Sequence, residues 1–285
     1  QPQNLEDVIA LISLYRPGPM DSIPTYLRNR HEPDKISYKT PQLAHILDVT
    51  NGCIVYQEQV MQIFRELAGF SFGQADNVRR AMSKKKHAVM EAEREHFVHG
   101  CTEPGHECPG CVANGISEEI ANEIYDEMSS FASYAFNKSH AAAYAVVAYR
   151  TAWLKVYYPV EFLTALINSF LGTSIEKMAE YVYYCKQKSI EVLPPDINKS
   201  GVSFTVENGK IRFALAAIKN IGSGSMEKIV EERKTRGDFV SLEDFLKRVE
   251  SQYLNKRLVE NLIKSGAFDC FKVSRAQMVS VFEPL

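Results

Sequence analysis

The amino-acid sequence predicts a mainly α-helical protein that contains one short β-hairpin. Apolar side chains recur at helical spacing in most segments, and Ser, Asn or Pro stands where several of these segments begin. Strand-like residues surround the Asn208-Gly209 turn signal within residues 203–214. We therefore expect a multi-helix domain followed by a smaller helical domain that carries the hairpin.

Helix signals are clearest in the first half of the chain. A helix opens the chain and is stopped by Pro17-Gly18-Pro19, another begins at Tyr56, and a third is capped by Ser71 with Gln74 three residues on. Ser117 caps a fourth helix. The predicted buried stripes are Leu5, Val8, Ile9, Ile12 and Leu14; Tyr56, Val60, Ile63, Phe64 and Leu67; Phe72, Ala75, Val78 and Met82; and Ile120, Ile124, Met128 and Phe131. Glu58 and the glutamines beside it need no role beyond solvation.

A long apolar helix is predicted over residues 141–157, before Pro159 starts the next one. The aromatic side chains of the long helix, Tyr144, Tyr149 and Trp153, are predicted to be core. Thr173 or Ser174 caps a later helix. Residues 192–196 are interpreted as a linker, which places a domain boundary near residue 190 and divides the chain into residues 1–190 and 191–285.

Composition is that of an ordinary globular protein. The 285 residues suffice for about two domains, and 45% are hydrophobic and 24% charged. The net charge of −2 excludes bulk attraction to nucleic acid, so phosphate binding must come from local patches. Without a membrane-length apolar run or a signal peptide, a cytoplasmic protein is expected. Because Gln1 opens the chain without Met, we expect a fragment of a longer protein.

Five cations follow one another closely in the third helix and after it. They are Arg79, Arg80, Lys84, Lys85 and Lys86. No carboxylate lies between Asn77 and Met90, so the pattern favours binding of an anion, and Arg suits phosphate in particular. The alternative is a solvated basic face.

A second candidate anion site is the loop Asn137-Lys138-Ser139-His140, which lies just ahead of the long helix. Helix N-termini bind anions through their free N–H groups. The alternative is that Ser139 is simply the N-cap and His140 a first-turn residue. Arg16, at the first proline turn, is either a phosphate contact or a cation at a helix C-terminus.

The segment Lys219-Asn220-Ile221-Gly222-Ser223-Gly224 leads into a helix over residues 226–233. Such an apolar-Gly-x-Gly turn resembles a helix-hairpin-helix, whose turn N–H groups bind a DNA phosphate without reading bases. A tight turn without a ligand is the alternative. A second unit, with a helix capped by Asn255 and closing at Gly266, lacks the Gly-x-Gly and is predicted to be structural.

A cysteine-rich segment lies within residues 99–111. Cys108-Pro109-Gly110-Cys111 has the spacing of a metal-binding turn, and Cys101 and His106 would complete a structural zinc site, with His99 as the alternative fourth ligand. Without metal we expect this loop to be floppy. The alternatives are an exposed loop of free thiols or an oxidation-prone pair.

Four motifs occur in the order found in the bacterial replicative DNA polymerase III alpha subunit, the C family of polymerases. They are Arg16-Pro17-Gly18-Pro19, residues 56–63 (YQEQVMQI), residues 79–86 (RRAMSKKK) and residues 137–145 (NKSHAAAYA). The resemblance covers the whole chain except the cysteine-rich segment. Ser133 and Ala135 depart from the glycines common in the family, which affects backbone freedom before the loop.

The resemblance implies the fingers and the adjoining tandem helix-hairpin-helix region of a DNA-directed DNA polymerase, a nucleotidyltransferase. It assigns the incoming triphosphate to Arg79 and Arg80, with Arg16 and Lys138 close by and Asn137, Ser139 and His140 shaping the pocket. DNA binding falls to Lys84, Lys85 and Lys86 and to the turn residues Lys219, Ile221, Gly222, Ser223 and Gly224.

Nucleotidyl transfer needs carboxylates that hold two metal ions. The ten aspartates include no Asp-x-Asp, so the resemblance implies Mg²⁺ ligands on a palm outside this chain, and we expect the chain alone to be inactive. The implied partners are template-primer DNA, deoxynucleoside triphosphates and, through the full-length chain, other replicase subunits and the sliding clamp; no membrane partner is expected. The alternative is a non-catalytic nucleic-acid-binding module, which an Asp-x-Asp palm upstream of Gln1 would exclude.

Overall fold

The computed structural model describes residues 1–17, 19–84, 87–132 and 136–282. The protein is mainly α-helical with one small sheet among these residues, as predicted. By packing, the chain forms two compact units, Gln1–Thr151 and Ala152–Leu285. Predictions that involve Gly18, Lys85, Lys86, Ser133 and Ala135 lie outside the described residues.

The first unit is built from helices and short 3-10 turns. Its helices are α1 (Leu5–Leu14), α2 (Ile23–His31), α3 (Ala44–Leu47), α4 (Gln57–Ala68), α5 (Phe72–Ser83), α6 (His87–His99), α7 (Gly110–Ala113) and α8 (Glu118–Ala132). The long helix α9 (Lys138–Tyr157) begins in this unit and continues past Thr151. It starts three residues earlier than predicted because Asn137, and not a later residue, caps it.

Local signals fix the junction of α4 and α5, the helices that carry most of the candidate site. Gly69 ends α4 with a φ of +76°, which glycine adopts without strain. Ser71 then starts α5 with the predicted capping box: the Ser71 side chain accepts the Gln74 N–H, and the Gln74 side chain accepts the Ser71 N–H. Since one residue separates the two caps, α4 and α5 form a tight helix pair.

An aromatic cluster anchors this pair to the core of the first unit. The ring centroid of Phe64 on α4 lies 5.0 Å from that of Phe97 on α6 and 6.0 Å from that of Tyr125 on α8. The Tyr125 hydroxyl donates to the Met90 carbonyl oxygen at 2.6 Å, so its polar end is satisfied. Edge-on aromatic pairs of this kind stabilise by about 0.5–1.5 kcal/mol beyond their burial. The helix pair of α4 and α5, which carries most of the candidate site, is therefore anchored in the core of the first unit.

The second unit combines helices with the sheet. Its elements are α10 (Pro159–Ser169), α11 (Ile175–Gln187), β1 (Val192–Leu193), β2 (Thr205–Glu207), β3 (Lys210–Arg212), α12 (Ser223–Arg236), α13 (Leu242–Arg248), α14 (Lys256–Ser265) and α15 (Arg275–Phe282). β2 and β3 form the predicted antiparallel hairpin, in which Val206 lies opposite Ile211. Ser174 caps α11 and Asn255 caps α14, as expected.

The interpretation of residues 192–196 as a linker is wrong at its first two residues. Val192 and Leu193 form β1, which pairs in parallel with β3. The pairing satisfies backbone groups on both sides, because the Ile211 N–H donates to the Glu191 carbonyl at 3.0 Å and the Phe213 N–H donates to the Leu193 carbonyl at 3.1 Å.

Two apolar clusters form the core of the second unit. One joins α10 and α11 to the sheet through Leu163, Ile167, Cys185, Phe204 and Ile211, and the other lies among α12, α13, α14 and α15. By packing, α10 and α11 thus belong with later residues. The predicted division into functional domains at residue 190 stays a prediction.

The burial of α9 differs from the prediction. Tyr144, Tyr149 and Trp153 were expected in the core, but they are exposed by 58%, 60% and 41%. The helix buries Ala141 and Ala145 instead. Its packed face is therefore the face lined by alanine, where neighbouring segments approach the helix backbone closely, and its large side chains lie on the other sides.

Candidate nucleotide and nucleic-acid sites

Arg79 is fixed between α5 and α4. Its Nε and Nη2 donate to Asp76 Oδ1 at 3.0 and 2.7 Å, and its Nη1 donates to Gln57 Oε1 at 3.0 Å. Its side chain is only 19% exposed, whereas that of its neighbour Arg80 is 64% exposed. Arg79 therefore presents a guanidinium whose orientation is already set.

Asp76 neutralises part of the basic helix, contrary to the sequence-based expectation. The residues from Asn77 to Met90 lack carboxylates, but Asp76 stands one position earlier and reaches forward along α5. Its Oδ2 lies 2.7 Å from Arg80 Nη2, so one carboxylate pairs with both arginines. Hydrogen bonding from Arg79, together with both positive charges, lowers the pKa of Asp76 below its usual range. The three side chains together keep one net positive charge.

The side chain of Glu58, a residue of α4, accepts hydrogen bonds at the N-terminus of α9. Its carboxylate accepts the Lys138 N–H at 3.1 Å and the Asn137 Nδ2–H at 2.9 Å. Asn137 is the N-cap, because its Oδ1 accepts the His140 N–H at 2.9 Å. The alternative in which Ser139 caps the helix is therefore wrong. Two of the N–H groups that the sequence assigned to an anion already have acceptors within the protein.

The remaining predicted triphosphate contacts surround the same loop. Lys138 Nζ lies 3.1 Å from Glu6 Oε2 and 5.3 Å from the ring centroid of Tyr56, which is fully buried. The guanidinium of Arg16 lies 4.7 Å from the ring centroid of Phe136, and that ring contacts His140. The loop is tied to the start of α4, since the Gln57 N–H donates to the Phe136 carbonyl at 3.0 Å.

A cavity of about 480 Å³ brings part of the predicted site together. Arg79 and Asn137 line it, and so do Gln57, Glu58 and Asp76. Arg80, Arg16, Lys138, Ser139 and His140 do not line this cavity. The structure therefore joins the basic helix and the loop before α9 at one place, through partners on α4.

Glu58, Gln57 and Asp76 are the residues that sequence reasoning missed. The expectation that Glu58 and the neighbouring glutamines are merely solvated is wrong: Glu58 caps α9, and Gln59 is buried with its amide bonded to Thr50, Ile46, Val55 and Tyr56. The Asp76 contact had a local signal, because an acid three and four residues before two arginines pairs with them on a helix. The Glu58 contact had none, since 79 residues separate it from Asn137.

Of the predicted DNA-binding lysines, the structure describes Lys84, while Lys85 and Lys86 lie outside the described residues. Lys84 is exposed at the C-terminus of α5, where its N–H donates to the Arg80 carbonyl at 3.1 Å. A cation is favourable at that end of a helix dipole. Its position is consistent with a phosphate contact and with solvation.

The glycine turn before α12 exposes its backbone. Gly222 is the N-cap and no side chain caps the helix. A Cβ placed on Gly222 or Gly224 would meet no atom within 4 Å. Ile221 is buried in the apolar cluster below, so only its backbone faces the turn, and Lys219 is exposed beside it. The first N–H groups of a helix lack intrahelical acceptors, so this turn is open to an anion.

Comparisons with known proteins show which proteins this chain resembles. Residues 1–105 match the bacterial DNA polymerase III alpha subunit finger domain, and residues 189–278 match a helix-hairpin-helix motif. Proteins named DNA polymerase III subunit alpha are 47% identical in Thermus aquaticus, 44% in Chlamydia trachomatis and 42% in Bacillus subtilis. The alignments cover 100%, 100% and 98% of this chain. This chain belongs to the DNA polymerase III alpha subunit family.

The chain covers only 23%, 22% and 24% of those three alpha subunits. Its first helices correspond to the finger domain of the family, and its second unit contains the helix-hairpin-helix region. The activity, substrates and partners of a full-length alpha subunit therefore remain proposals for this chain.

The second hairpin of the helix-hairpin-helix region is covered. Gly266 ends α14 with a φ of +86°, and a Cβ there would lie 2.2 Å from the Arg275 guanidinium. Arg275 also bonds to Asp269 and donates to the Lys264 carbonyl at 3.2 Å. This turn differs from the open turn at Gly222. The difference supports the prediction that this second hairpin, which closes at Gly266, is structural.

The structure does not bring the four predicted zinc ligands together. Within the described residues, no three His, Cys, Asp or Glu side chains are placed to share a metal ion. Cys101 and Cys108 face each other on a small hairpin, whereas Cys111 lies on α7 with its side chain in the core. Burial raises the pKa of the Cys111 thiol to about 12. The structure therefore does not bring Cys101, His106, Cys108 and Cys111, or the alternative His99, together as one metal-binding group in the described residues, and the zinc site stays a prediction.

The two ends of the cysteine-rich segment pack closely against each other. A Cβ on Gly100 would lie 2.5 Å from the Pro109 carbonyl oxygen, and one on Gly110 would lie 2.3 Å from the Gly100 nitrogen. Close backbone packing thus contributes to holding the loop in place. No described helix is long and apolar enough to cross a membrane.

Proposed function

We propose that this chain grips the triphosphate of the incoming nucleotide and holds the DNA backbone within a replicative DNA-directed DNA polymerase. Arg79 carries this proposal. Its guanidinium is held by Asp76 and Gln57 at the wall of a cavity that Asn137 also lines. A planar, preset guanidinium suits bidentate contact with phosphate oxygens.

In the proposed triphosphate site, Arg79 and Arg80 provide positive charge, and the loop before α9 orients the phosphate. The net positive charge left by Asp76 attracts the nucleotide, and Arg80 is exposed enough to turn toward it. Arg16 and Lys138 add positive charge around the loop. The Ser139 N–H has no acceptor among the described residues, while the Lys138 and His140 N–H groups do. Ser139 is thus the first-turn amide that a phosphate oxygen can use.

In the DNA site, the open turn before α12 contacts one backbone phosphate through its N–H groups, and Lys219 adds charge. Lys84, with Lys85 and Lys86, contacts template or primer phosphates. Such contacts position DNA without reading its sequence. The other replicase subunits and the sliding clamp would be reached through the full-length chain, in the cytoplasm, and the Mg²⁺ ligands would lie on the palm outside this chain.

A non-catalytic nucleic-acid-binding module is the rival function. The match of residues 189–278 to a helix-hairpin-helix is compatible with it, but the finger-domain match of residues 1–105 is not explained by it. The polymerase is therefore the better-supported proposal. A primer-extension assay with this chain alone, Mg²⁺ and four nucleotides should give no product.

Alanine substitution of the two arginines in the full-length polymerase tests the triphosphate site. Arg79→Ala and Arg80→Ala should each lower kcat/KM for the nucleotide by about 10- to 150-fold, since a hydrogen bond to a charged group contributes about 1.5–3 kcal/mol. The Kd for template-primer DNA should change far less. Steady-state kinetics at varied nucleotide and a DNA-binding titration give both quantities.

Arg28→Ala is the matched control, because Arg28 is an exposed arginine on α2 that does not line the cavity. It should leave kcat/KM unchanged. The proposal would be wrong if the Arg79 and Arg80 variants lost DNA affinity while their dependence on nucleotide stayed that of the wild type.

A further inference from the structure

Two thiols of the cysteine-rich segment are placed directly opposite each other. Cys101 and Cys108 form an antiparallel bridge in which each N–H donates to the other residue's carbonyl at 2.9 Å. Residues paired in this way have Cα atoms about 5.5 Å apart and side chains on the same face. Both cysteines are free thiols in the structure.

We propose that Cys101 and Cys108 are a redox-active pair that closes to a disulfide by exchange with a low-molecular-weight disulfide. The Cα separation of such a pair lies within the range of roughly 4.4–6.8 Å that disulfides span. The six residues between the two cysteines form the loop of the hairpin, so ring closure needs no rearrangement of the helices. The function proposed above does not use this pair.

The exchange has two steps. The thiolate of Cys101 attacks one sulfur of oxidised glutathione, a mixed disulfide forms, and one glutathione thiolate leaves. The thiolate of Cys108 then attacks the sulfur of Cys101, the protein disulfide forms, and the second glutathione leaves. The two thiol protons end on the two glutathione molecules. The protein is oxidised by two electrons, and the reagent is reduced by two.

Accessibility sets the order of attack and the choice of partner. Cys101 is half-buried and can meet the reagent, whereas Cys108 is buried and its Sγ donates to the His96 carbonyl at 3.6 Å. Cys111 is fully buried in the core on α7. Burial also raises the pKa of the Cys108 thiol, so the closing step should accelerate as pH rises.

The disulfide should be easily reduced. Cβ atoms of opposed residues are about 4.5–5.5 Å apart, but those of a disulfide are about 3.5–4.5 Å apart. Closure therefore pulls the two strands together, and strained disulfides are the labile ones. The bond would tie the end of α6 to the start of α7 beside Gly69, where Pro109 packs so closely that a Cβ would lie 2.5 Å away.

Disulfide mapping of the full-length subunit tests the proposal. The protein is incubated with oxidised glutathione, remaining thiols are alkylated, and the chain is cleaved after glutamate. Cleavage after Glu107 separates Cys101 from Cys108, so only a disulfide keeps their peptides together. We expect one linked peptide pair, which loses its link when dithiothreitol is added and re-forms it in fresh oxidant.

Variants identify the pairing. Cys111→Ala should keep the linked pair, Cys101→Ser should abolish it, and Cys270→Ser, a control at an exposed cysteine, should leave it unchanged. Circular dichroism confirms that Cys101→Ser folds. The proposal would be overturned by alkylated Cys101 and Cys108 after oxidation, by a mixed glutathione adduct that never closes, or by a Cys108 to Cys111 bond.

Discussion

The two predicted phosphate sites differ in whether their hydrogen-bond donors already have acceptors within the protein. In the first unit, Arg79 and Arg80 share Asp76, and Glu58 accepts the first N–H of α9. In the second unit, the turn at Gly222 has no side-chain cap and no atom within 4 Å of the added Cβ positions. One site is internally paired, and the other is open.

This difference indicates different tasks. A paired site is preorganised, since its donors are oriented before the ligand arrives, and it binds a ligand only when the new contacts exceed the internal ones that are given up. An open turn can bind a DNA backbone phosphate whatever the base sequence, because no internal contact has to break first. It offers few hydrogen-bond donors, however. Under the proposed function, the first arrangement suits binding of a nucleotide, and the second suits a weak contact with the DNA backbone.

Removing Glu58 should have the largest local effect on this contrast. Glu58→Ala deletes a charged acceptor of two hydrogen bonds, and because both bonds are partly exposed to solvent, their combined loss should cost about 1.5–3 kcal/mol. Opening of the first turn of α9 should become about 10- to 150-fold more frequent. Amide hydrogen exchange of residues 137–141 in the full-length polymerase measures this directly.

Glu66→Ala is the matched control, because Glu66 lies on the same helix and lines the same cavity but contacts His45 and Gln62. It should leave exchange in α9 unchanged. Glu58→Gln keeps an oxygen acceptor and should give an intermediate rate. Equal exchange rates in wild type and Glu58→Ala would mean that Glu58 does not hold α9.

Local signals explain which parts of this contrast the sequence could predict. The Ser71 capping box, the Asn255 cap and the hairpin around Asn208-Gly209 formed as expected, because each depends on residues three or four positions apart. The turn at Gly222 was interpreted from its resemblance to a helix-hairpin-helix, and a tight turn without a ligand remained the alternative. The assignment of anion binding to α5 and to the loop before α9 came from motifs that resemble a known family, and it stays a prediction.

Contacts distant in sequence were not predictable in this way. Nothing near Glu58 indicates that it meets Asn137, since the tertiary fold alone brings α4 and α9 together. The buried face of α9 was assigned wrongly because its aromatic residues suggested core, whereas alanine forms the packed face. The spacing of Cys108 and Cys111 suggested zinc, but α7 turns Cys111 into the core.

At the open turn, a bulky side chain should block the phosphate without disturbing the fold. A Cβ at Gly224 would meet no neighbouring segment within 4 Å, so Gly224→Val should leave the fold intact, yet its side chain would crowd a phosphate at the helix N-terminus. Loss of about one hydrogen bond, roughly 0.5–1.5 kcal/mol, lowers DNA affinity by about 2- to 13-fold. A binding titration of the 285-residue chain with duplex DNA measures this.

The contribution of charge to DNA binding at this turn can be measured separately from that of the backbone shape. Lys219→Ala should reduce the slope of log affinity against log salt by about 0.9, the value for one phosphate contact. Lys234→Ala, near the far end of α12, is the control and should leave the slope unchanged. If Gly224→Val and Lys219→Ala both bound DNA as the wild type does, the turn would be only a structural connection.

The smallest expected effect concerns acid and the paired site. The pKa of Asp76 is lower in the folded protein than in the unfolded chain, where it is about 3.9, because Arg79 and Arg80 favour its charged form. A lowered carboxyl pKa stabilises the fold above the unfolded pKa, and the contribution disappears as pH falls through the lower folded-state pKa. Asp76→Asn should therefore reduce the free energy of unfolding at pH 7, by about 0.2–1 kcal/mol as for a solvent-accessible ion pair.

That difference between wild type and Asp76→Asn should shrink to zero as pH falls below about 4. Other carboxylates with lowered pKa values, such as Glu207 beside Arg212, titrate in both proteins, so the difference isolates Asp76. Urea unfolding of the two 285-residue chains at several pH values, followed by circular dichroism, gives the curve. A difference that stayed constant down to pH 2 would show that Asp76 acts through shape and not charge. The orientation of Arg79 and Arg80 would then depend on packing alone. The difference between the paired site and the open turn would no longer be a difference in charge pairing.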